Sequence, residues 1–413
     1  MSRHASCFDN ATLICVFEPA TLKQPTILWI ALGLSLGPSV SNSFARFAYA
    51  LVLPGMQEDL SLNFSQAGAL NTANALGYLL GALLTRLLVQ SWGNRHLFNR
   101  GMVLTAFALC LTGFVQDLYL LSVCRLFGGI GGAAIFICGG ALASNIAPND
   151  PQWSTRCITI FFGGAGVGLV LCGLLIPWWM ASQGSRAWPQ TWLAMGVVSW
   201  IMLAVTYLAS KQIDEPISAK GSADWALKPL LPAFVAYVGF GLGYIVYMTF
   251  IIAWLKAIGA SSMQMSIVWS VLGLSTLLAP LIWSKPIANW PNGRAMSAIL
   301  FVLSLGALLP VIPFEPAWQT RAMQCSAALF GLGMFSAPSS ISALIKRTQQ
   351  KPAWGSAMAT FTIAFAASQI LAPVASGMMA DWSGSLRWGL ALSGLIILFS
   401  ASIAWFQKDQ KPG

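Results

Sequence analysis

Long apolar runs alternate with short polar breaks along the whole chain. A helix that crosses a bilayer needs about 20 mostly apolar residues. By that measure the pattern predicts twelve spans, over 28–54, 64–88, 97–116, 118–147, 157–180, 190–210, 229–256, 262–283, 294–313, 320–345, 354–380 and 386–406. Most breaks are a few residues long. The longest, 211–228, carries Lys211, Asp214, Glu215, Lys220, Asp224 and Lys228, and it leaves six spans on either side. The expected fold is an all-α polytopic membrane protein. It would have a tail over 1–27, a six-helix bundle over 28–210, a linker over 211–228, a second six-helix bundle over 229–407 and a tail over 408–413.

The two halves echo each other. Arg125-Leu-Phe-Gly-Gly-Ile-Gly131 in span four is matched by Ala328-Leu-Phe-Gly-Leu-Gly333 in span ten. The end of span five, Ala181-Ser-Gln-Gly-Ser-Arg-Ala-Trp188, is matched by Ala380-Asp-Trp-Ser-Gly-Ser-Leu-Arg-Trp388 after span eleven. Gly33-Leu-Ser-Leu-Gly37 in span one is matched by Gly239-Phe-Gly-Leu-Gly243 in span seven. A constant half-chain offset predicts a parallel pseudo-repeat, the plan of carriers that hold their site between two halves.

Composition agrees with the pattern. Of 413 residues 57% are apolar and 8% charged, with a mean hydropathy of +0.71. A soluble domain carries about 25% charged residues. The net charge of +10 could suggest nucleic acid, but the basic residues stand singly between apolar runs, so no nucleic-acid partner is expected. Their distribution instead sets topology. With the N terminus in the cytoplasm, sixteen of the 22 Lys and Arg fall on cytoplasmic segments and four on the other face. That bias is the positive-inside rule, and it predicts that both termini are cytoplasmic. Residues 1–25 show no signal-peptide pattern. The eight cysteines form no CxxC and only two histidines exist, so neither a metal nor another cofactor is expected.

Two charges remain inside apolar runs, Arg46 and Arg125. An arginine keeps its proton in a protein, and a charge at membrane depth costs a few kcal/mol, so it faces a partner or a wet cavity. Arg46 lies eight residues before Pro54 and Arg125 seven after Leu118. At about 1.5 Å per residue both sit about 10–12 Å below the outer surface. Either they form a cationic site for a carboxylate or other anion, which guanidinium grips bidentately. Or they cap backbone carbonyls, or snorkel outward. None of the twelve acids lies mid-span. Asp59 and Asp117, near outer span ends, are the candidates for proton coupling, against the plainer reading of solvated helix ends. Asn71, Asn74 and Tyr78 share a face of span two, Tyr244 and Tyr247 a face of span seven, and Gln369 sits mid-span in eleven. These are candidate solute contacts, or glue between helices. The glycine runs 128–131 and 164–168 lie inside apolar helices with no preceding strand, so they read as helix packing and not as nucleotide loops.

The twelve spans, the charged central break and Arg125-xxx-Gly129-x-Gly131 resemble the major facilitator superfamily. Ala45-Arg-Phe-Ala-Tyr-Ala-Leu-Val-Leu-Pro-Gly-Met-Gln57, Asn74-Ala-Leu-Gly-Tyr-Leu-Leu-Gly-Ala-Leu83 and Gly243-Tyr-Ile-Val-Tyr-Met-Thr-Phe250 are similar to its YbfB/YjiJ-type bacterial branch. The resemblance implies that spans one, four, seven and ten line a central cavity. It also implies a secondary carrier in the bacterial inner membrane, moving a small organic solute by alternating access, with a proton gradient as drive. The solute is expected to be anionic or carboxylate-bearing, and the carrier is expected to be a monomer in the lipid bilayer. The alternative is a receptor or assembly partner that keeps the fold without transport. An enzyme is not expected. Two departures stand out: Thr85 replaces the acid of the loop after span two, and span five lacks the proline of the antiporter signature.

Overall fold

The computed structural model describes residues 24–215, 225–350 and 353–408. The expected N-terminal tail up to residue 23, most of the linker and residues 409–413 of the second tail lie outside the described residues. Among the described residues there is no strand, and eleven helices are long and apolar enough to cross a membrane. The chain is a multi-pass membrane protein.

The first rod is composite. Helix α1 (Gln24–Pro38) leads into a π-helical segment, Ser39–Phe47, and then into α2 (Tyr49–Leu60). There follow α3 (Phe64–Thr112), α4 (Leu118–Ser144), α5 (Pro151–Gln183) and α6 (Trp188–Ser210). After the linker come α7 (Leu231–Ala257), α8 (Ser262–Asn289), α9 (Arg294–Leu308) and α10 (Pro316–Met334). The chain ends with α11 (Ser336–Thr348), α12 (Trp354–Ser383) and α13 (Arg387–Trp405). The starts are written in the sequence. Asn63 and Ser261 each form a capping box with a glutamine three residues on, and Asp117 and Asp150 accept backbone N–H groups of the first turns of α4 and α5.

Helix α3 runs through both of the spans expected over 64–88 and 97–116. Its 49 residues would reach about 74 Å if straight, more than two hydrocarbon thicknesses. It does not stay straight. Gly93 has φ 76° and ψ 162°, a conformation open essentially to glycine alone. Beyond it the rod folds back: Gly77 and Gly101 both press their bare Cα against α4, near Leu126 and Gly131. The turn is sealed from a distance in sequence. The Glu215 carboxylate accepts the backbone N–H groups of Asn94 and Arg95, and the Arg95 guanidinium donates to the Ile213 carbonyl. Thr85 left this loop without its own acid, and the start of the linker brings one.

In the first half α3 packs on α4 and α6, and α1 on α5 and α6. In the second, α13 packs on α7 and α9, α10 on α8 and α9, and α12 on α7. The halves meet along α3 with α12, α5 with α8, and α2 with α7. Among the described residues, several hydrogen bonds join the halves at the end where α2, α7 and α12 finish. There the Asp381 carboxylate accepts the N–H groups of Phe64 (2.8 Å) and Ser65 (2.9 Å) and the Ser65 hydroxyl. Lys256 bonds Glu58 at 2.9 Å and Ser266 donates to the Gly173 carbonyl at 2.6 Å. This end of the bundle is tied shut.

Asp381 is the strongest of these ties because one carboxylate takes three donors at the N terminus of α3, where the helix dipole also favours negative charge. Asp381→Ala is expected to raise the open-to-closed ratio at this end by about tenfold, if the tie is worth about 1.4 kcal/mol. Spin labels at Leu62 and Trp382 would report it as a growing long-distance population. An unchanged distance distribution would mean that the tie does not hold the two halves together.

Candidate functional site

The π segment carries the central arginine, and local chemistry explains why the helix widens there. Pro38 has no N–H to give, and the residues after it are Ser39-Val-Ser-Asn-Ser43, poor in helix propensity and able to bond elsewhere. Ala48 N–H reaches back five residues to the Ser43 carbonyl at 2.7 Å. The Ser39 and Ser43 hydroxyls donate to the Gly164 and Ala165 carbonyls of α5, at 2.7 and 2.6 Å. Gly164 and Gly168 let α5 come close enough for those bonds. One face of the segment is thereby fixed to α5. Widened turns of this kind occur mostly at functional sites.

The other face presents Arg46 to the second half. Its side chain is buried, 7% exposed, and its guanidinium donates to Gln369 Oε1 on α12. The Tyr244 hydroxyl of α7 donates to the same oxygen at 3.0 Å. Gln369 is held for this role by its own Nε2, which donates to the Phe365 carbonyl at 2.8 Å. The guanidinium lies 5.0 Å from the Tyr78 ring centroid and 5.6 Å from that of Phe47, within cation–π range. Behind Tyr244 stands a stack of Tyr237, Phe240 and Phe365, with centroids 4.8–5.8 Å apart. Phe47 meets Phe335, at the break between α10 and α11, edge-on at 6.4 Å. A buried cation is thus set among neutral amide, phenol and ring faces.

Arg125 is placed differently. It donates to the Ala45 carbonyl and to Asn71 Oδ1 (3.4 Å), and lies over the rings of Tyr49 (4.7 Å) and Trp192 (5.5 Å). Its Nε is buried without a partner. Asn71 passes the link across the halves, its Nδ2 donating to Thr249 Oγ1 of α7 at 2.5 Å. Two bridges built on the arginines therefore cross the centre, Arg46–Gln369–Tyr244 and Arg125–Asn71–Thr249, beside a bond from the Thr72 hydroxyl to the Ile370 carbonyl at 2.6 Å. The two arginines do not share one grip: Arg125 holds the carbonyl of residue 45 from within the first half, while Arg46 reaches the second.

The other candidates sort by their partners. Tyr78 and Tyr244 stand at Arg46. Asn74 donates to the Arg125 carbonyl at 3.0 Å and joins α3 to α4. Tyr247 turns away from the centre, bonding Ser326 Oγ at 2.8 Å and stacking on Phe330 at 3.8 Å inside the second half. Asp59 pairs with Arg186 (3.4 Å) and accepts the Trp188 indole N–H (2.9 Å), and Asp117 caps α4. Neither acid is bonded to a buried arginine. Phe335 and Phe365 belong to the site without having been singled out for it. Asn42, one π turn before Arg46 and Phe47, is buried with its Nδ2 unpartnered; its signal was the polar run in which it sits.

Among the described residues, eleven helices are long and apolar enough to cross a membrane, and buried polar side chains join α3 and the π segment to α7 and α12. The chain belongs to the major facilitator family described as "Uncharacterised MFS-type transporter YbfB", whose model matches residues 39–405. It is 20% identical over 391 residues to the uncharacterised MFS-type transporter YttB of Bacillus subtilis, covering 92% of this chain and 95% of that one. It is 25% identical over 218 residues to the 3-(3-hydroxy-phenyl)propionate transporter of Escherichia coli, covering 49% of this chain and 51% of that one. Among solved structures it is similar to an inward-facing, unoccupied bacterial homolog of the human lysosomal transporter Spinster, with a TM-score of 0.70, 14% identity and coverage of 94% and 98%. The nucleoside transporter NupG matches with a TM-score of 0.68, 13% identity and coverage of 92% and 97%. These structural likenesses establish the fold.

The geometry separates site from scaffold, and unfolding measurements test the separation. Tyr247→Phe removes one hydroxyl bond between helices and is expected to cost about 0.6 kcal/mol. Gln369→Leu strands a buried guanidinium and is expected to cost more, about 1–3 kcal/mol. Equal losses in denaturant titrations of the two variants would mean that Arg46 does not depend on Gln369.

Proposed function

We propose that this protein is a secondary carrier for a small organic solute bearing a carboxylate, and that Arg46 is the group that grips it. The observation that carries the reading is a missing counter-charge. Arg46 is buried and permanently charged, and its hydrogen bond goes to a neutral amide. Among the described residues every acid stands in a loop or toward a helix end: Glu58, Asp59, Asp117, Asp150, Asp214, Glu215, Glu315 and Asp381. A carboxylate solute supplies the charge that the protein withholds. It would displace Gln369 from the guanidinium, which it can grip bidentately. Tyr78, Tyr244, Phe47 and Phe335 then offer ring faces to its apolar part. The Escherichia coli relative named for 3-(3-hydroxy-phenyl)propionate, an aryl carboxylate, supports an aromatic acid as the first class to try.

The carrier reading includes twelve crossings, with α3 counted as two about Gly93 and α10 with α11 as one. The contacts of α1 with α5 and α6, and of α7 with α12 and α13, support two groups of six. Alternating access then separates the halves at the tied end while they close at the other. From the positive-inside bias we place both termini in the cytoplasm of a bacterial inner membrane, so the tied end faces outward. A proton gradient is the drive we assign. Asp59 and Asp117 are its weaker point, since both are occupied in holding helix ends together.

Thermal stabilisation of the purified protein tests the substrate class. Ligands that bind the folded state raise the melting temperature by mass action. At about 100-fold excess over its dissociation constant, 3-phenylpropionate or a related acid is expected to add about 2.7 kcal/mol of stability to the wild type. Arg46→Ala is expected to abolish the gain, and the binding acid should show counterflow in proteoliposomes. Stabilisation by amines or neutral compounds alone, or by the acid in Arg46→Ala as well, would remove the carboxylate from the proposal. Binding without counterflow would favour a receptor.

A further inference from the structure

The outer wall of the first half carries a concave apolar slot that the transport site does not use. It has a volume of about 350 Å³ and lies between α5 and α6, floored by Phe44 of the π segment and by Cys172, Ile176 and Met195. These four side chains are buried, whereas Leu175, Trp178 and Val198 on the rim are 58%, 65% and 38% exposed. The slot thus opens sideways, away from the second half and toward the surface that meets the bilayer. It follows α6 from Thr191 to Met202, about 16 Å at 1.5 Å per residue. Half a hydrocarbon core is about 15 Å, so the slot is one leaflet deep.

Its upper end lies under the α5–α6 turn. There Trp178 and Trp179 are placed as interfacial anchors, and the 3-10 turn Ser185–Ala187 holds Arg186 above them. The Arg186 side chain is 89% exposed, and only its Nε engages Asp59, at 3.4 Å. The two terminal nitrogens of the guanidinium are free to take phosphate oxygens in the bidentate manner that arginine favours. Lipid-facing surfaces are ordinarily convex rows of Leu and Phe. A slot of leaflet depth with a cation at headgroup level is the shape and charge of a single lipid molecule.

We propose that this slot binds a phospholipid, with one acyl chain lying along α6 against Phe44 and the phosphate on Arg186. The bound chain touches the same π segment that carries Arg46 two residues on, from the opposite side. The site is separate from the carboxylate site and stands whether or not that assignment holds.

Native mass spectrometry of the full chain in detergent, titrated with dioleoylphosphatidylglycerol or with dioleoylglycerol, tests it. The wild type is expected to retain one phosphatidylglycerol. Ala194→Trp, which fills the slot from α6, and Arg186→Gln are each expected to weaken retention by about tenfold. Dioleoylglycerol, which lacks the phosphate, should bind weakly and ignore Arg186→Gln. Val198→Trp, from the rim, replaces Ala194→Trp if the melting temperature of that variant shows it to be misfolded. Retention unchanged in the filled-slot variant, or dioleoylglycerol held as tightly as phosphatidylglycerol, overturns the proposal. Displacement of the lipid by 3-phenylpropionate would also overturn it, since the slot would then belong to the solute.

Discussion

A guanidinium keeps its charge wherever the fold puts it, and this fold puts Arg46 at its centre, between two halves, with no carboxylate beside it. The cost of that placement is met piecemeal. The amide oxygen of Gln369 takes a hydrogen bond, and the faces of Tyr78 and Phe47 offer quadrupole attraction. Cation–π contacts of this kind are worth about 0.5–2 kcal/mol each, less than a charge-assisted bond to an anion in the same dry surroundings. The centre is therefore satisfied without being saturated. A site in that condition is stable when empty and still gains when an anion arrives.

The same constraint shapes the helix that carries it. The π segment is tied down on one side by two serine hydroxyls bonded to α5 carbonyls, and it leaves Asn42 buried without a partner for its amide. An α-helix would pair its own backbone more economically, so the widened turn persists because α5 holds it. Both arginine bridges across the centre end on neutral groups of the second half, Gln369 with Tyr244 and Thr249. Neutral partners can be released at modest cost, about 1–3 kcal/mol per bond. Opposed buried charges would lock, because separating them strands two ions. A pair of halves that must come apart during transport is better joined by bonds of the first kind.

Much of this was legible in the sequence because membrane helices announce themselves by composition. Arg46, Arg125 and Gln369 stood out as polar groups in apolar runs, and Tyr244 as a phenol on the helix expected to face the centre. What the residues could not announce was direction. Tyr244 and Tyr247 are three apart on one helix, yet one meets Arg46 and the other bonds Ser326 within its own half; a helix face is wide enough for both outcomes, and packing chooses. Arg46 and Arg125 match in depth, but the backbone at residue 45 stands between their partners. The turn at Gly93 and its closure by Glu215 join residues more than a hundred positions apart, a distance at which local pattern carries no signal. The π segment was visible only as a run of serine and asparagine after a proline, since those residues permit a widened turn but the bonds that hold it come from α5.

The asymmetry between the halves bears on how a solute would be handled. Both central cations belong to the first half, and the second offers amide, hydroxyl and a stacked aromatic wall. A repeat of two equal grips would have to release two strong contacts to turn over. On the proposed reading charge recognition would belong to one half, and the other would contribute shape and weak polar bonds. A bound anion would stay with Arg46 as the halves part, and only the aromatic wall and Gln369 would change their distance from it. On the proposed reading the second half would set which apolar group is accepted, while the first would set that the solute is an anion.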